Sequence, residues 1–334
     1  MLKPKDILRI KKIISKFKDV KILIVGDLIL DEFVWGDSSR ISPEAPVPVV
    51  LVERESFMPG GAANVANNIS ALGGRVYIVG VIGKDERGQI LEKLLRDKDV
   101  DTEGVISDSE RPTTLKTRVV ARHQQVVRID HENSLSINDG VNRGIIDYVK
   151  DKIDEMDGII IEDYGKGVIT PKFLKEIIPL AKKHDKIIIV DPKEEHFSYY
   201  KGVTAITPNR REAEIATGIK AVDNEALNKI GRRLIEQYKL KVALITLGEH
   251  GMRLFERSGK ITHIPTVAQE VFDVSGAGDT VIAAFTLALG ARAKMIEAAH
   301  ISNFAAGIVV GKVGVATTSP SELKARIKVH SWQA

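Results

Sequence analysis

The chain predicts an α/β fold on a mainly parallel sheet, and three observations carry that prediction. Short runs of apolar, often β-branched residues recur at 21–25, 76–81, 158–161, 187–190, 203–206 and 241–245. Near-continuous apolar runs of this length belong to strands covered on both faces, the condition of a parallel sheet between helix layers. Segments with helix-entry signals stand between them, giving the strand–helix alternation of that class. A length of 334 residues is enough for one large α/β domain or two modest ones.

Taken in order, residues 5–17 place Ile7, Leu8, Ile10, Ile13, Ile14 and Phe17 at helical spacing among lysines. A short amphipathic helix on the outside of the sheet is expected there. The 21–25 strand ends in Gly26-Asp27, and Asp31 follows four residues later. A carboxylate at the C-terminal end of a parallel strand sits where open α/β sheets hold ligands. Asp27 and Asp31 are therefore candidate acceptors for polyol hydroxyls, although a solvated turn explains them too. From 32 to 57 the pattern changes to short alternating pieces, and Pro43, Pro46 and Pro48 exclude a helix. Antiparallel structure outside the main sheet is expected. Gly60-Gly61 then precede a small-residue helix over 62–72. Paired glycines let a ligand approach the backbone, and Asn64 offers both donor and acceptor; a loop contact is the plainer role for it.

Beyond the 76–81 strand, a Gly-containing turn over 83–88 leads to a helix over 89–95, and 115–121 with 126–129 alternate like a hairpin. Arg118 and Arg128 on that hairpin are candidates to meet an anionic substrate, against the alternative of a solvated charged face. A helix over 138–156 precedes the 158–161 strand, whose exit Glu162-Asp163-Tyr164-Gly165-Lys166-Gly167 is polar and flexible. Thr170-Pro171 opens the next helix with a cap and an N1 proline. Lys166 and Lys193, at the ends of two strands, are candidates to neutralise phosphate. Asn209 and Glu212 have capping-box spacing at a helix entry. Gly248 follows the 241–245 strand and permits main-chain contact, with Thr246 and Gly251 beside it. Segments 252–255 and 260–264 form an outer antiparallel pair, a small-residue helix covers 298–310, and Ser319-Pro320-Ser321-Glu322 caps the last helix.

Hydrophobic content of 43% and charged content of 28% are ordinary for a globular protein. The net charge of only +4, with both signs interspersed, argues against a nucleic-acid-binding surface. The absence of cysteine removes disulfides, thiolate nucleophiles and Cys-based metal sites. The N-terminal residues do not lead into an apolar signal core and no membrane-length apolar run follows, so a cytoplasmic protein with no membrane partner is expected. A Gly-x-x-x-x-Gly-Lys phosphate loop is missing, as is a Gly-x-Gly-x-x-Gly after the first strand.

The most informative stretch is Asp273-Val274-Ser275-Gly276-Ala277-Gly278-Asp279-Thr280, which runs into a small-residue helix. First-turn N–H groups at Gly276, Ala277 and Gly278 face an incoming anion. An acid among them repels a phosphate that is merely bound. It makes sense if Asp279 deprotonates a hydroxyl beside a phosphoryl group held by those donors. An ordinary helix entry with a first-turn acid is the bland alternative.

This stretch resembles the C-terminal signature of the ribokinase-like (PfkB) carbohydrate kinases, and Gly60-Gly61-Ala62-Ala63-Asn64-Val65-Ala66 resembles their N-terminal signature. The resemblance runs from about residue 20 to about residue 327 and implies a three-layer α/β/α sandwich with a small β-sheet lid. It implies a main nucleotide-binding domain over 1–31, 58–114 and 131–330, and a lid over 32–57 and 115–130 that covers the sugar and pairs two subunits. It further implies Asp279 as base, sugar contacts at Asp27, Asp31, Gly60, Gly61 and Asn64, and ATP with Mg²⁺ as cofactors. Asn209, Glu212, Thr246, Gly248 and Gly251 then approach the nucleotide. The short side chains at Asn303, Ala306 and Gly307 leave a flat slot for one adenine wall, although helix packing explains the alanines equally well. Glu212 is tied to magnesium, and Asp273 to a monovalent cation such as K⁺.

Within the family, three segments look most like the branch that phosphorylates D-glycero-D-manno-heptose 7-phosphate at its anomeric hydroxyl, toward ADP-heptose for surface polysaccharide. They are the Ile41–Val49 stretch, Gln124-Gln125-x-x-Arg128-x-Asp130 and Asp163-Tyr164-x-Lys166-Gly167. Arg118, Arg128, Lys166 and Lys193 are the expected partners of its 7-phosphate. A His-x-Gly-His nucleotidyltransferase signature is missing, so the kinase activity alone is expected.

Overall fold

The computed structural model describes residues 4–122, 124–268 and 270–330; residues 1–3 of the expected 1–31 segment lie outside the described residues. Helix α1 (Pro4–Ile14) leads to β1 (Lys21–Gly26), and β2 (Leu28–Ile41) with β3 (Pro48–Gly61) forms a long hairpin. Next come α2 (Ala62–Ala71), β4 (Arg75–Gly83), α3 (Glu86–Arg96) and β5 (Asp101–Asp108), then a second hairpin of β6 (Thr114–Ala121) and β7 (Gln124–His131). The chain continues through α4 (Asp139–Lys152), β8 (Gly158–Glu162), α5 (Pro171–Lys183), β9 (Ile187–Asp191), β10 (Ala205–Ile206), α6 (Arg210–Thr217), α7 (Asn224–Tyr238) and β11 (Val242–Thr246). It closes with β12 (Met252–Glu256), β13 (Ile261–Ile264), α8 (Ala277–Gly290), α9 (Met295–Val309) and α10 (Pro320–His330).

Nine strands form the main sheet in the order β13-β12-β11-β10-β9-β8-β1-β4-β5, parallel except for β12, which runs antiparallel to both of its neighbours. Alternate residues of β1 point to opposite faces. Ile22 and Ile24 join a core with α1, α2, α8, α9 and α10. Leu23 and Val25 join a second core with α4, α5, α6 and α7. The two cores make the three-layer sandwich. Helix α8 is apolar nearly all round and lies buried against the sheet, as expected of a helix with no solvent-facing side.

The second sheet has the order β3-β2-β6-β7. It begins at Leu28 and runs to Gly61, so its strands reach further into the main domain than the expected 32–57. It is also not wholly antiparallel: β2 and β6 pair in parallel. The pieces expected as short are two strands of 14 residues each, with Pro43 and Pro46 confined to the connection. Strand β5 and helix α7 are not among the expected elements. β5 is a polar edge strand with no apolar run to mark it. α7 does carry a readable signal, an Asp223 cap and apolar Leu227, Ile230, Leu234 and Ile235 at helical spacing.

Parallel pairing sets the strand ends level. Gly26 lies opposite Glu162, and Glu162 opposite Asp191. Three neighbouring strands therefore deliver acidic residues to one edge.

Candidate active site

Asp279 sits in the first turn of α8, 7% exposed. The turn depends on Gly276, which caps the helix at φ 75°. A Cβ there would lie 2.8 Å from Asn64 Nδ2, so glycine is needed for both backbone and space. Asn64 Nδ2 donates to Asp279 Oδ2 at 2.5 Å, and the Tyr164 hydroxyl donates to Oδ1 at 3.1 Å. Burial raises the Asp279 pKa, and these two donors partly oppose the rise. Ala277 turns its N–H back onto the Val274 carbonyl at 3.2 Å. Ala277 thereby leaves the expected donor set.

Glu162, Asp191 and Asp279 bring carboxylate oxygens within 4.8 Å of one another. Glu162 is 0% exposed and accepts no hydrogen bond from an N–H or O–H group of the protein among the described residues; it bonds to the neighbouring Asp191 carboxyl only when one of the two holds a proton. Burial, with Asp191 and Asp279 nearby, pushes Glu162 well above the usual carboxylate range. Burial, with Glu212 nearby, pushes Asp191 up to about 8. Three carboxylates this close do not all ionise unaided. A hard divalent cation with oxygen ligands suits such a set, and the orphaned Glu162 oxygens supply free lone pairs for it. Glu212 Oε2 also accepts from Asn209 N–H at 2.8 Å, completing the capping box on α6. Asp273 is not part of this cluster; its Oδ1 accepts from Ser275 N–H at 2.9 Å in the loop before α8.

Asp27 is held by backbone donors. It is 1% exposed, and its oxygens accept from the N–H groups of Tyr164 and Lys166 at 2.9 Å and Val168 at 3.2 Å. Its carboxylate ties down the loop that presents Tyr164, leaving Asp31 as the acid that faces the second sheet. Asp31 pairs with Arg118, whose guanidinium also lies over the Phe33 ring at 5.4 Å. A Cβ on Gly60 would reach within 2.4 Å of Asp31 Oδ2, so that glycine clears room for the carboxylate. Gly61 ends β3 with φ 55° and caps α2, the helix bearing Asn64.

The expected phosphate-binding cations are already paired with acids. Arg128 makes a two-pronged contact with Asp130 at 2.8 and 2.9 Å. Lys166 donates to Glu132 at 2.6 Å, and Lys116 lies 3.6 Å from Asp130 and 3.7 Å from Glu132. These contacts form a chain of alternating charge from the second sheet to the 163–167 loop. Lys193 is paired with Glu195 at 3.7 Å, and its Cε lies 3.3 Å from where a Gly165 Cβ would sit. Lys116, which shares its hairpin with Arg118 and Arg128, belongs to this chain of charges as well.

A cavity of about 450 Å³ opens beside the α8 N-terminus. Thr246, Gly248, Gly251, Asn303 and Gly307 line it, all expected there, and Ala277 and Gly278 close one end. Its other walls are mainly apolar, with Val271, Val274, Val281 and Val310 the main additions and Glu249 and Thr266 the polar ones. The size and lining suit a small molecule with a flat apolar part. Asn303 holds the cavity rim through a bond to the Pro265 carbonyl at 2.8 Å. Asn209 borders it, through a parallel bridge to Thr246.

A three-layer sandwich with a β lid, an acid at a glycine-rich helix entry and an adjoining apolar cavity define a ribokinase-like phosphotransferase. The model of the pfkB family of carbohydrate kinases matches residues 20–322, and the chain belongs to that family. Membership makes it an ATP-dependent carbohydrate kinase. Among curated relatives, the bifunctional protein HldE of Geobacter sulfurreducens is 48% identical over 91% of this chain and 62% of its own length. The Helicobacter pylori protein of the same name is 45% identical over 91% and 65%. The chain thus spans a little under two thirds of these relatives. Among solved structures, Arabidopsis thaliana ribokinase with ribose and ATP superposes with a TM-score of 0.74 at 19% identity, covering 92% of this chain and 99% of that one. Escherichia coli phosphofructokinase-2 in complex with potassium superposes at 0.77 and 20%, covering 93% and 99%.

Tyr164, Glu162 and Asp191 are legible in the sequence as polar residues at strand exits but not as partners of Asp279. The signal available is the repeated acid at successive parallel strand ends.

Proposed function

We propose that the protein transfers the terminal phosphoryl group of Mg·ATP to the anomeric hydroxyl of D-glycero-D-manno-heptose 7-phosphate. The product is the 1,7-bisphosphate, a step toward ADP-heptose and surface polysaccharide. One observation carries the phosphotransfer part of this reading: the apolar cavity ends at Ala277 and Gly278, in the same helical turn as buried Asp279. A nucleotide in the cavity points its phosphates at the positive end of α8. Asp279 accepts the proton as the sugar oxygen bonds to phosphorus and the bridging oxygen leaves with ADP. Asn64 and Tyr164 hold the carboxylate in place, and Asn64 and Asp31 take acceptor hydroxyls. Glu162, Asp191 and Glu212 are the residues to hold magnesium, which when bound neutralises phosphate charge. Asp273 and the neighbouring carbonyls are our choice for a monovalent cation such as K⁺.

Support for the acceptor comes from the 41–49, 124–130 and 163–167 segments, the similarity to the HldE proteins, and the cations around Glu132. Acids Glu132 and Asp130 occupy Lys166, Lys116 and Arg128 much as a phosphate would. A dianionic sugar phosphate exchanges for these carboxylates. The lid sheet pairs with its counterpart in a second copy, and ATP with a sugar phosphate as substrates fits a cytoplasmic location.

ATP turnover on a panel of sugars and sugar phosphates tests the proposal. Heptose 7-phosphate is expected to be turned over far faster than any unphosphorylated sugar. Comparable rates on sugars lacking the 7-phosphate would remove the heptose assignment and leave a different pfkB sugar kinase.

A further inference from the structure

The edge of the main sheet opposite the carboxylates carries a concentrated positive charge that phosphotransfer does not use. Backbone bonds cross this edge from strand to strand. Thr204 N–H donates to Ile188 O at 2.9 Å, Lys241 N–H to Thr204 O at 3.0 Å, and Arg257 N–H to Lys241 O at 2.9 Å. Two of the cations, Lys241 and Arg257, therefore stand on rigid strand ends. A cleft of about 230 Å³ is lined there by Lys182, Lys186, Lys239, Lys241 and Arg257 against a single acid, Asp185. A neighbouring cavity of about 550 Å³ shares Lys239 and Arg257 and adds Arg232 and Lys260 with Glu236 and Glu256. Half-buried Ile261 is its apolar surface, with the core residues Ile235 and Phe255 behind it.

Seven cations against three acids leave +4, equal to the net charge of the whole chain. The rest of the molecule is balanced. Among the described residues none of the seven has a carboxylate oxygen within 4.0 Å; Lys186 donates only to the Asp154 carbonyl. The cations around the active site, by contrast, are paired. Helices α5 and α7 end at this edge, and each helix C-terminus offers roughly half a negative charge. That offsets about one unit and leaves about +3 uncompensated.

We propose that this edge binds a multiply phosphorylated small molecule. Its phosphates lie among Lys182, Lys239, Lys241 and Arg257, and its body extends over half-buried Ile261 in the neighbouring cavity. The smaller cleft, at about 230 Å³, has room for compact phosphates. The charge is concave and local, where field lines focus. It is not spread along a stripe as a duplex or a lipid surface would need.

The test is calorimetric titration of the full chain with inorganic tripolyphosphate and with ATP, with a short DNA duplex and phosphatidylglycerol vesicles as comparisons. Two tripolyphosphate sites are expected, one at the active site and one here. K182Q/K241Q should weaken the second by about tenfold or more, and K182R/K241R should keep it. Kinase turnover on whatever sugar is accepted should be unchanged in both, so the outcome does not depend on the heptose assignment. Binding that K182Q/K241Q leaves untouched, whether at one site or at two, would overturn the proposal. So would loss of DNA or vesicle binding in that variant with tripolyphosphate binding intact.

Discussion

Asp279 owes its chemistry to two donors and to its burial. Burial raises its pKa, while Asn64 and Tyr164 favour the ionised form. Asp279→Asn keeps the shape and removes the basic oxygen, so turnover should fall roughly 10²–10⁴-fold with substrate binding largely retained. Near-normal turnover would exclude Asp279 as the base. Tyr164→Phe removes one of the donors that stabilise the carboxylate, so the Asp279 pKa rises further. A base is lost as pH falls through its pKa, and the acid limb of kcat/KM should therefore move to higher pH; a limb that stays in place or moves down contradicts the contact. Glu162→Gln removes the charge that its orphaned oxygens offer a cation. The magnesium concentration for half-maximal rate should rise about tenfold or more, read from magnesium titrations at saturating ATP.

The 163–168 loop is held by one buried acid, and its stability should show that acid's titration. Burial raises Asp27 from 3.8 to about 6, against the pull of three backbone donors. The folded form thus binds the proton more tightly than the unfolded chain. The contribution is fully present below about pH 4 and is lost as pH climbs past about 6. A shift of about two pK units corresponds to about 3 kcal/mol. Urea unfolding near pH 5 and near pH 8 should show the protein less stable at the higher pH. In Asp27→Asn that decline should shrink, and the loop should be looser at both values. An unchanged slope in the variant would assign the decline elsewhere, with Asp191 next in order.

Over the whole molecule, two surfaces stand out. The outer sheet exposes Ile41 at 64%, Leu51 at 72% and Ile129 at 55%, and β3 and β7 are its free edges. Apolar residues on an exposed sheet are ordinarily covered by a partner. Sedimentation at assay concentrations should therefore find a dimer, and Leu51→Asp should shift it toward monomer with a higher KM for the sugar. A fully active monomer would argue against the assembly. The second surface is the basic edge around Lys241 and Arg257, on the far side of the sheet from the carboxylates. Among the described residues no helix is long and apolar enough to cross a membrane.

The sequence by itself determined the parts of this protein that local chemistry specifies. Apolar runs made the buried strands visible because both faces of a parallel sheet must be covered. The glycine-rich entry to α8 and the Asn209–Glu212 capping box could be read because partners within a few residues define them. Strand β5 stayed hidden because an edge strand needs no apolar run. Only the tertiary structure decided which acids meet. Level strand ends put Glu162 beside Asp191, and the packing of α8 on the sheet brings Asp279 to both. Spacing along the chain made Asp27 and Asp31 equal candidates. The fold separates them, because Asp27 faces the 164–168 amides while Asp31 crosses to Arg118 on another strand. Register and side-chain direction are set by long-range pairing, which no window of the sequence contains.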